Sequence, residues 1–268
     1  MIDFNKLLEI SIAASLNAGE EILKVYETDF IVERKEDRSP LTLADKNSHD
    51  VISKMLAETG IPVLSEEGKD IPFSERKNWK YLWIVDPLDG TKEFVKRNGE
   101  FTVNIALTES QKPVLGVIYV PVTKVLYFAA KGIGAFKNSD LPGNYREQFS
   151  YNKILKKSIK LPGIKKNEKF TIIASRSHLT KETWDFIEEM KKKHGETNVI
   201  SAGSSLKFCL IAEGKANVYP RFAPTMEWDT AAGQAIVQCA GKNVIDFKTK
   251  KIMLYNKENL LNGWFLVE

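Results

Sequence analysis

A chain of 268 residues with 43% hydrophobic and 10% aromatic side chains can bury a sizeable core, as one large domain or two smaller ones sharing a site. Its 39 basic and 35 acidic residues leave a net charge of only +4, too balanced to argue for nucleic acid as a partner. No stretch approaches the roughly 20 uninterrupted apolar residues of a membrane-spanning helix, so none is expected.

Phe4, Leu7, Leu8, Ile12, Ala14, Ala18, Ile22 and Val25 recur at helical spacing and predict an amphipathic first helix. It carries acids where a secretory signal would carry basic residues, so it reads as part of the mature protein. Residues 30–36 are expected to form a strand and Asp37-Arg38-Ser39-Pro40 a turn. Thr42-Leu43-Ala44-Asp45 has the form of a capping box opening a helix that runs through Met55 and closes near Gly60. Residues 61–64 predict a short strand leading into Ser65-Glu66-Glu67-Gly68. Residues 81–85 predict another, stopped by Asp86-Pro87-Leu88-Asp89-Gly90-Thr91. Residues 101–136 are rich in strand pattern, with a hairpin-like pair joined by Pro121-Val122-Thr123.

Residues 137–169 change character, with Pro142, Gly143, Pro162, Gly163 and seven lysines between 151 and 169. They read as a surface crossing between two lobes. Beyond them strands and helices alternate: strand 170–175, helix 181–193, a strand near Val199, helix 204–212, strand 216–220, helix 230–239 and two short strands. The expected class is therefore α/β, an α+β lobe over residues 1–150 and an α/β lobe over 151–268. Cys209 and Cys239 both lie in apolar helical context and read as reduced core residues, which suits a cytoplasmic location.

Five acids stand at the ends of these elements: Asp45, Glu66, Asp86, Asp89 and Asp229. In α/β proteins sites gather where strands end, and Asp229 precedes a helix whose backbone N–H groups favour an anion. Carboxylates crowded together repel unless something positive lies between them. An oxygen-only set without a His or Cys cluster suits a hard cation, magnesium before zinc. Each acid also has a duller reading: Asp45 as a capping acid, Asp86 as a turn residue, Asp229 as a helix cap. Their spacing alone does not decide whether they meet.

Ser65-Glu66-Glu67, Asp86-Pro87-Leu88-Asp89-Gly90-Thr91 and Trp228-Asp229-Thr230-Ala231-Ala232-Gly233 together resemble the inositol monophosphatase superfamily of magnesium-dependent, lithium-sensitive phosphatases. The motifs stand in family order and span most of the chain. Gly90-Thr91-Lys92-Glu93-Phe94, Ser175-Arg176-Ser177-His178 and residues 202–222 resemble the 3′(2′),5′-bisphosphate nucleotidase branch. The resemblance implies a layered αβαβα sandwich of the inositol monophosphatase/fructose-1,6-bisphosphatase type. It implies removal of the 3′-phosphate of adenosine 3′,5′-bisphosphate, and action on its sulfated relative, in sulfate assimilation. Glu66, Asp86, the Leu88 carbonyl, Asp89 and Asp229 would hold two or three Mg2+ ions, while Asp45 and Thr91 would position and deprotonate a water. Gly90, Thr91, Ser175, His178, Gly203 and Lys207 would contact the substrate, with Arg176 and Arg221 as further cations for a second phosphate. Met226-Glu227, Gln238-Cys239 and Asn217 depart from the family pattern without removing an implied ligand.

The expected partner is a small-molecule substrate rather than nucleic acid, bound by a monomer or a homodimer. The expected location is cytoplasmic, with seating on the inner face of the membrane left open. Inositol 1-phosphate and fructose 1,6-bisphosphate remain alternative substrates, and a non-catalytic nucleotide or RNA binder using the lysines is the reading of a different class. A haloacid-dehalogenase type is disfavoured, because its two aspartates stand two apart and here they stand three apart.

Overall fold

The computed structural model describes residues 2–28, 40–141, 149–163, 169–175 and 180–268. Among them, β1 (Val63–Ser65), β2 (Tyr81–Asp89), β3 (Thr102–Glu109), β4 (Lys112–Val120), β5 (Val125–Ala130), β6 (Gly134–Asn138) and β7 (Ile159–Lys160) form one sheet in chain order. β1 runs parallel to β2, and each later pair is antiparallel. Successive strand residues point to opposite faces, so Trp83, Val85, Val103, Ile105 and Tyr119 enter one core while Leu82, Ile84, Ala106 and Ile118 enter another. Residues 81–85 read as an unbroken apolar run because both faces of the sheet are covered.

The first face is covered by α1 (Phe4–Tyr26) and α2 (Pro40–Ala57). Asp3 caps α1 by accepting from the Asn5 and Lys6 N–H groups, and Leu8, Ile12, Ala18 and Ile22 are buried on the stripe that the spacing predicts. The second face receives α7 (Leu206–Glu213) and α8 (Ala231–Cys239), with α3 (Phe73–Arg76) and α4 (Thr91–Val95) as short connectors. α8 comes so close to β4 that a Cβ at Gly116 would run into the Ala232 carbonyl oxygen and stand 2.9 Å from the Ala235 Cβ.

Beyond α7 and α8 lies a second layer of strands. β10 (Tyr219–Arg221), β14 (Phe265–Val267) and β12 (Val244–Asp246) pair in that order, and β8 (Phe170–Ser175) runs parallel to β9 (Thr197–Ala202). An Ile172–Val218 bridge joins the two pieces. A further pair, β11 (Thr225–Met226) with β13 (Leu261–Asn262), borders the segment carrying Asp229. α6 (Lys181–His194) closes the outside, where Ile187 and Met190 pack on Ile172 and Val218. The layers run helix, sheet, helix, sheet, helix, the αβαβα order that the resemblance implied.

Three local expectations are corrected. α2 begins at Pro40, whose missing N–H costs nothing in a first turn, so Thr42 and Asp45 lie inside the helix and form no capping box. β2 does not stop at Val85 but continues through Asp89. The expected surface crossing contains α5 (Tyr151–Lys156), capped by Ser150 with Tyr151 and Ile154 buried, and strand β7 of the first sheet. The strand expected over 30–36 and the first three residues of the turn expected over 37–40 lie outside the described residues, and Pro40 opens α2 instead of closing a turn. Cys209 and Cys239 are free. No described helix is long and apolar enough to cross a membrane.

Gly116→Ala tests the layer contact. Backbone and a packed methyl stand in the way, so overpacking is expected to cost about 1–3 kcal/mol. The check is the urea unfolding midpoint, which should fall with the slope unchanged.

Candidate active site

In a regular strand residues three apart face opposite ways, which would separate Asp86 from Asp89. The pairing with β3 removes that problem. Asp86 stands opposite Asn104 and Asp89 opposite Thr102, so three steps on β2 match two on β3. This is a β-bulge, and the extra residue resets the alternation so that both aspartates share a face. Pro87 suits the bulge because it has no N–H to pair. The Asp86 Oδ1 accepts from the Leu88 N–H at 3.1 Å, and Ser48 of α2 donates to the Pro87 carbonyl at 2.8 Å. Gly90 then turns the chain at φ +97°, where a Cβ would also collide with the Ser204 hydroxyl.

Segment 203–205, just before α7, clasps this bulge. Ser204 Oγ lies 2.8 Å from the Asp89 carbonyl and 2.7 Å from that of Glu100, and the Gly203 N–H donates to Glu100 Oε2 at 2.7 Å. Ser205 Oγ stands 2.9 Å from Asp89 Oδ2 and 2.8 Å from the Asp229 carbonyl. Glu66 follows β1, its N–H donating to the Val85 carbonyl, while His49 of α2 meets Ser65 Oγ at 2.8 Å. Asp229 lies just ahead of α8 and accepts from the Met226 N–H at 2.8 Å.

Burial and crowding act together on these acids. Asp86 is 1% exposed, and its carboxyl is held well above the usual range by burial first and then by Asp89, Glu66, Asp229 and Asp45. Asp45 is pushed from 3.8 to about 8 by burial, then by Glu67 and Glu66, and its Oδ1 is buried without a hydrogen-bond donor. Asp229 is raised to about 7 by burial and then by Asp89. Glu66 is raised by burial first and then by the neighbouring Glu67 and Asp89, and the Trp228 indole Nε1 beside Asp229 is buried without a hydrogen-bond partner. Such a set favours protons or a cation. All the donors are oxygens, which suits a hard divalent ion. Among the described residues no three of the carboxylates form a group that could hold a single ion by side chains alone, whereas Mg2+ needs only one or two carboxylates and keeps several waters.

Glu66, Asp86, Asp89 and Asp229 line a cleft of about 310 Å³ whose wall also carries Lys207 and Arg221. Lys207 is buried and lowered to about 8 by that burial, its ammonium donating to the Ser204 and Ala202 carbonyls at 2.6 and 3.3 Å. Arg221 donates to the Pro224 carbonyl at 3.2 Å, while its Nε is buried without a partner.

A family model described as the inositol monophosphatase family matches residues 3–264. The chain belongs to the inositol monophosphatase family. Within that family it is 45% identical over 266 residues to the 3′(2′),5′-bisphosphate nucleotidase CysQ of Salmonella typhimurium, covering 97% of this chain and 99% of that one. It is 43% identical over 256 residues to the CysQ of Escherichia coli K12, covering 94% and 95%. The solved CysQ of Bacteroides thetaiotaomicron, a bacterial member of the inositol monophosphatase family, superposes with a TM-score of 0.94 at 54% identity, covering 99% of this chain and 97% of that one. An inositol monophosphatase from Zymomonas mobilis, 19% identical with a TM-score of 0.74 and covering 100% and 94%, shares the fold.

The site residues expected from sequence fall unevenly in this family member. Glu66, Asp86, Leu88, Asp89, Gly90, Thr91, Gly203, Lys207 and Asp229 all border the cleft. Asp45 is not on its wall; it is buried beside Glu66 and Asp86, and no hydrogen bond joins it to Thr91, whose side chain is exposed. The Gly203 N–H is already used by Glu100. Ser175 closes β8, while Arg176 and His178 lie outside the described residues.

Residues that sequence reasoning missed hold the site from outside. Glu227 is wholly buried and accepts from the Asn256 and Lys257 N–H groups and the Lys257 ammonium at 2.6, 3.0 and 2.7 Å. Arg76 secures the same loop through Asn256 Oδ1 and the carbonyls of Lys257 and Glu258. Thr102, Asn104 and Ser205 surround Asp89 Oδ2. Only an acid beside Trp228-Asp229 hinted at the first group, and nothing in the spacing hinted at the last.

The raised carboxyls set an expected pH dependence. A carboxyl whose folded pKa exceeds its unfolded value supports the fold below the unfolded value and loses that support as pH rises through the folded one. For Asp229 and Asp45 the window runs from about 4 to about 7 and 8. In a chelator the melting temperature should fall across that window, and added Mg2+ should restore it more at pH 8 than at pH 5. Thermal unfolding at both pH values, with and without the ion, is the measurement.

Proposed function

We propose that this protein is a magnesium-dependent 3′(2′),5′-bisphosphate nucleotidase that removes the 3′-phosphate of adenosine 3′,5′-bisphosphate, releasing AMP and inorganic phosphate. One observation carries the reading: four carboxylates from distant segments meet in a cleft whose wall also carries Lys207 and Arg221. A cation at the acids and two basic groups beside them match a substrate with two phosphates. Inositol 1-phosphate, with one, leaves that second charge unused. The activity for which the CysQ relatives are named agrees with this choice.

The residues fit Mg2+ by their all-oxygen donors, by the carboxyls that raise one another and by the donorless buried Oδ1 of Asp45. Glu66, Asp86, the Leu88 carbonyl, Asp89 and Asp229 would hold two or three such ions. When bound, they would supply the positive charge that neutralises phosphoryl oxygens and eases departure of the ribose oxygen. The protein's own groups have separate tasks. Lys207 and Arg221 bind the other phosphate, Arg221 with a fork matched to its oxygens. The Thr91 hydroxyl orients the attacking water, and Asp45 takes its proton. The lobes, 1–150 and 151–268, would then meet at the cleft, with Gly90 and Gly203 on its wall and Ser175 and His178 contributing from β8 and the segment after it. Action on the sulfated relative of the substrate follows from the same contacts.

Two measurements test this. Phosphate release with Mg2+ should favour adenosine 3′,5′-bisphosphate over inositol 1-phosphate and fructose 1,6-bisphosphate, should fall with lithium, and should drop at least about 10²-fold in Asp86→Asn with the fold retained. Equal or reversed preference overturns the nucleotidase assignment. Lys207 carries its charge below about pH 8, so kcat/KM for the bisphosphate should decline as pH rises through that value. Lys207→Met should remove that limb and raise KM about 10- to 100-fold.

A further inference from the structure

We propose that Thr102, Asn104 and Ser205 are positioning residues that commit one oxygen of Asp89 to the protein and leave the other for a divalent cation. The inference rests on the metal-site reading above and deepens it. The three side chains are 0%, 1% and 2% exposed, far below what a hydroxyl or amide tolerates without partners. All three converge on Asp89 Oδ2: Ser205 Oγ at 2.9 Å, Asn104 Nδ2 at 3.3 Å and Thr102 Oγ1 at 3.4 Å. No described group donates to Asp89 Oδ1, and Asp89 borders the cleft.

Counting protons shows how the set is ordered. Asn104 has two amide hydrogens, one for Asp89 Oδ2 and one for Ser205 Oγ at 2.9 Å. Thr102 has a single proton, placed between Asn104 Oδ1 at 2.9 Å and Asp89 Oδ2. Ser205 accepts from Asn104, and its one proton goes either to Asp89 Oδ2 or to the Asp229 carbonyl at 2.8 Å. The set therefore ties β3 to the segment before α7 and to the Asp229 backbone, so that two acids from distant parts of the chain are placed by one network.

The chemistry of the donors matters as much as their geometry. All are neutral. Neutral donors satisfy that oxygen without bringing a positive charge that would compete with a bound cation. A lysine in the same place would satisfy Asp89 and spoil it as a ligand. Groups that orient a ligating carboxylate commonly change metal affinity 10- to 100-fold when removed.

Isothermal titration of the purified protein with Mg2+ alone tests the idea, with urea midpoints recorded for each variant. Thr102→Val keeps the shape and loses the hydroxyl, Thr102→Ser keeps the hydroxyl, and Ser205→Ala loses the other one. Mg2+ affinity is expected to fall about 10- to 100-fold in Thr102→Val and Ser205→Ala and to stay near wild type in Thr102→Ser. Unchanged affinity in both hydroxyl-lacking variants overturns the inference, as does an equal loss in Thr102→Ser. Asp86→Asn separates the two levels. If it loses Mg2+ while Thr102→Val and Ser205→Ala do not, only the positioning role fails; if it binds like wild type, the metal reading fails with it.

Discussion

Repulsion between carboxylates is the constraint around which this protein is built. Asp86 lies almost wholly out of water and feels Asp89, Glu66, Asp229 and Asp45, so ionising them all without a counter-charge would oppose folding. The rest of the structure works to keep them together. α2 holds the bulge through Ser48, β3 faces both aspartates with Asn104 and Thr102, and segment 203–205 draws in the Asp229 backbone. Charge that costs stability is retained where it creates a place for a cation, which is the usual sign of a functional site.

The bulge deserves its place in the fold because it solves a problem of parity. A strand carrying Asp-Pro-Leu-Asp without an extra residue would send one aspartate into the helix-covered core and the other into the cleft. Adding one residue opposite β3 turns both the same way at little cost, since Pro87 has no N–H to leave unpaired. The network behind Trp228-Asp229 is equally economical. Glu227 is buried, yet its oxygens meet Asn256 and Lys257, so one acid anchors a loop while its neighbour but one faces the cleft.

Much of the fold was legible in the chain. Apolar spacing located α1, the hairpin of β4 and β5, and the alternation that ends in α8, because those patterns report local burial. The motif around Asp86 and its companions, read through resemblance, named the family that the comparisons show. Other details were not legible. The capping-box pattern at Thr42 was overridden by a helix start at Pro40, and the apparent turn at Asp86 is a continued strand. In each case a local signal was outweighed by pairing or packing with distant residues.

The sequence by itself determined the alternation of helices and strands and the supply of acids. These depend on residue type and spacing and need no partner to be read, while the layer order and the family were read through the resemblance of its motifs. Tertiary structure alone decided that Asp86 and Asp89 share a face, that Thr102, Asn104 and Ser205 all address one oxygen, and that Gly203 spends its N–H on Glu100. Those outcomes depend on strand register and on contacts across more than a hundred residues of chain, and no local pattern records them.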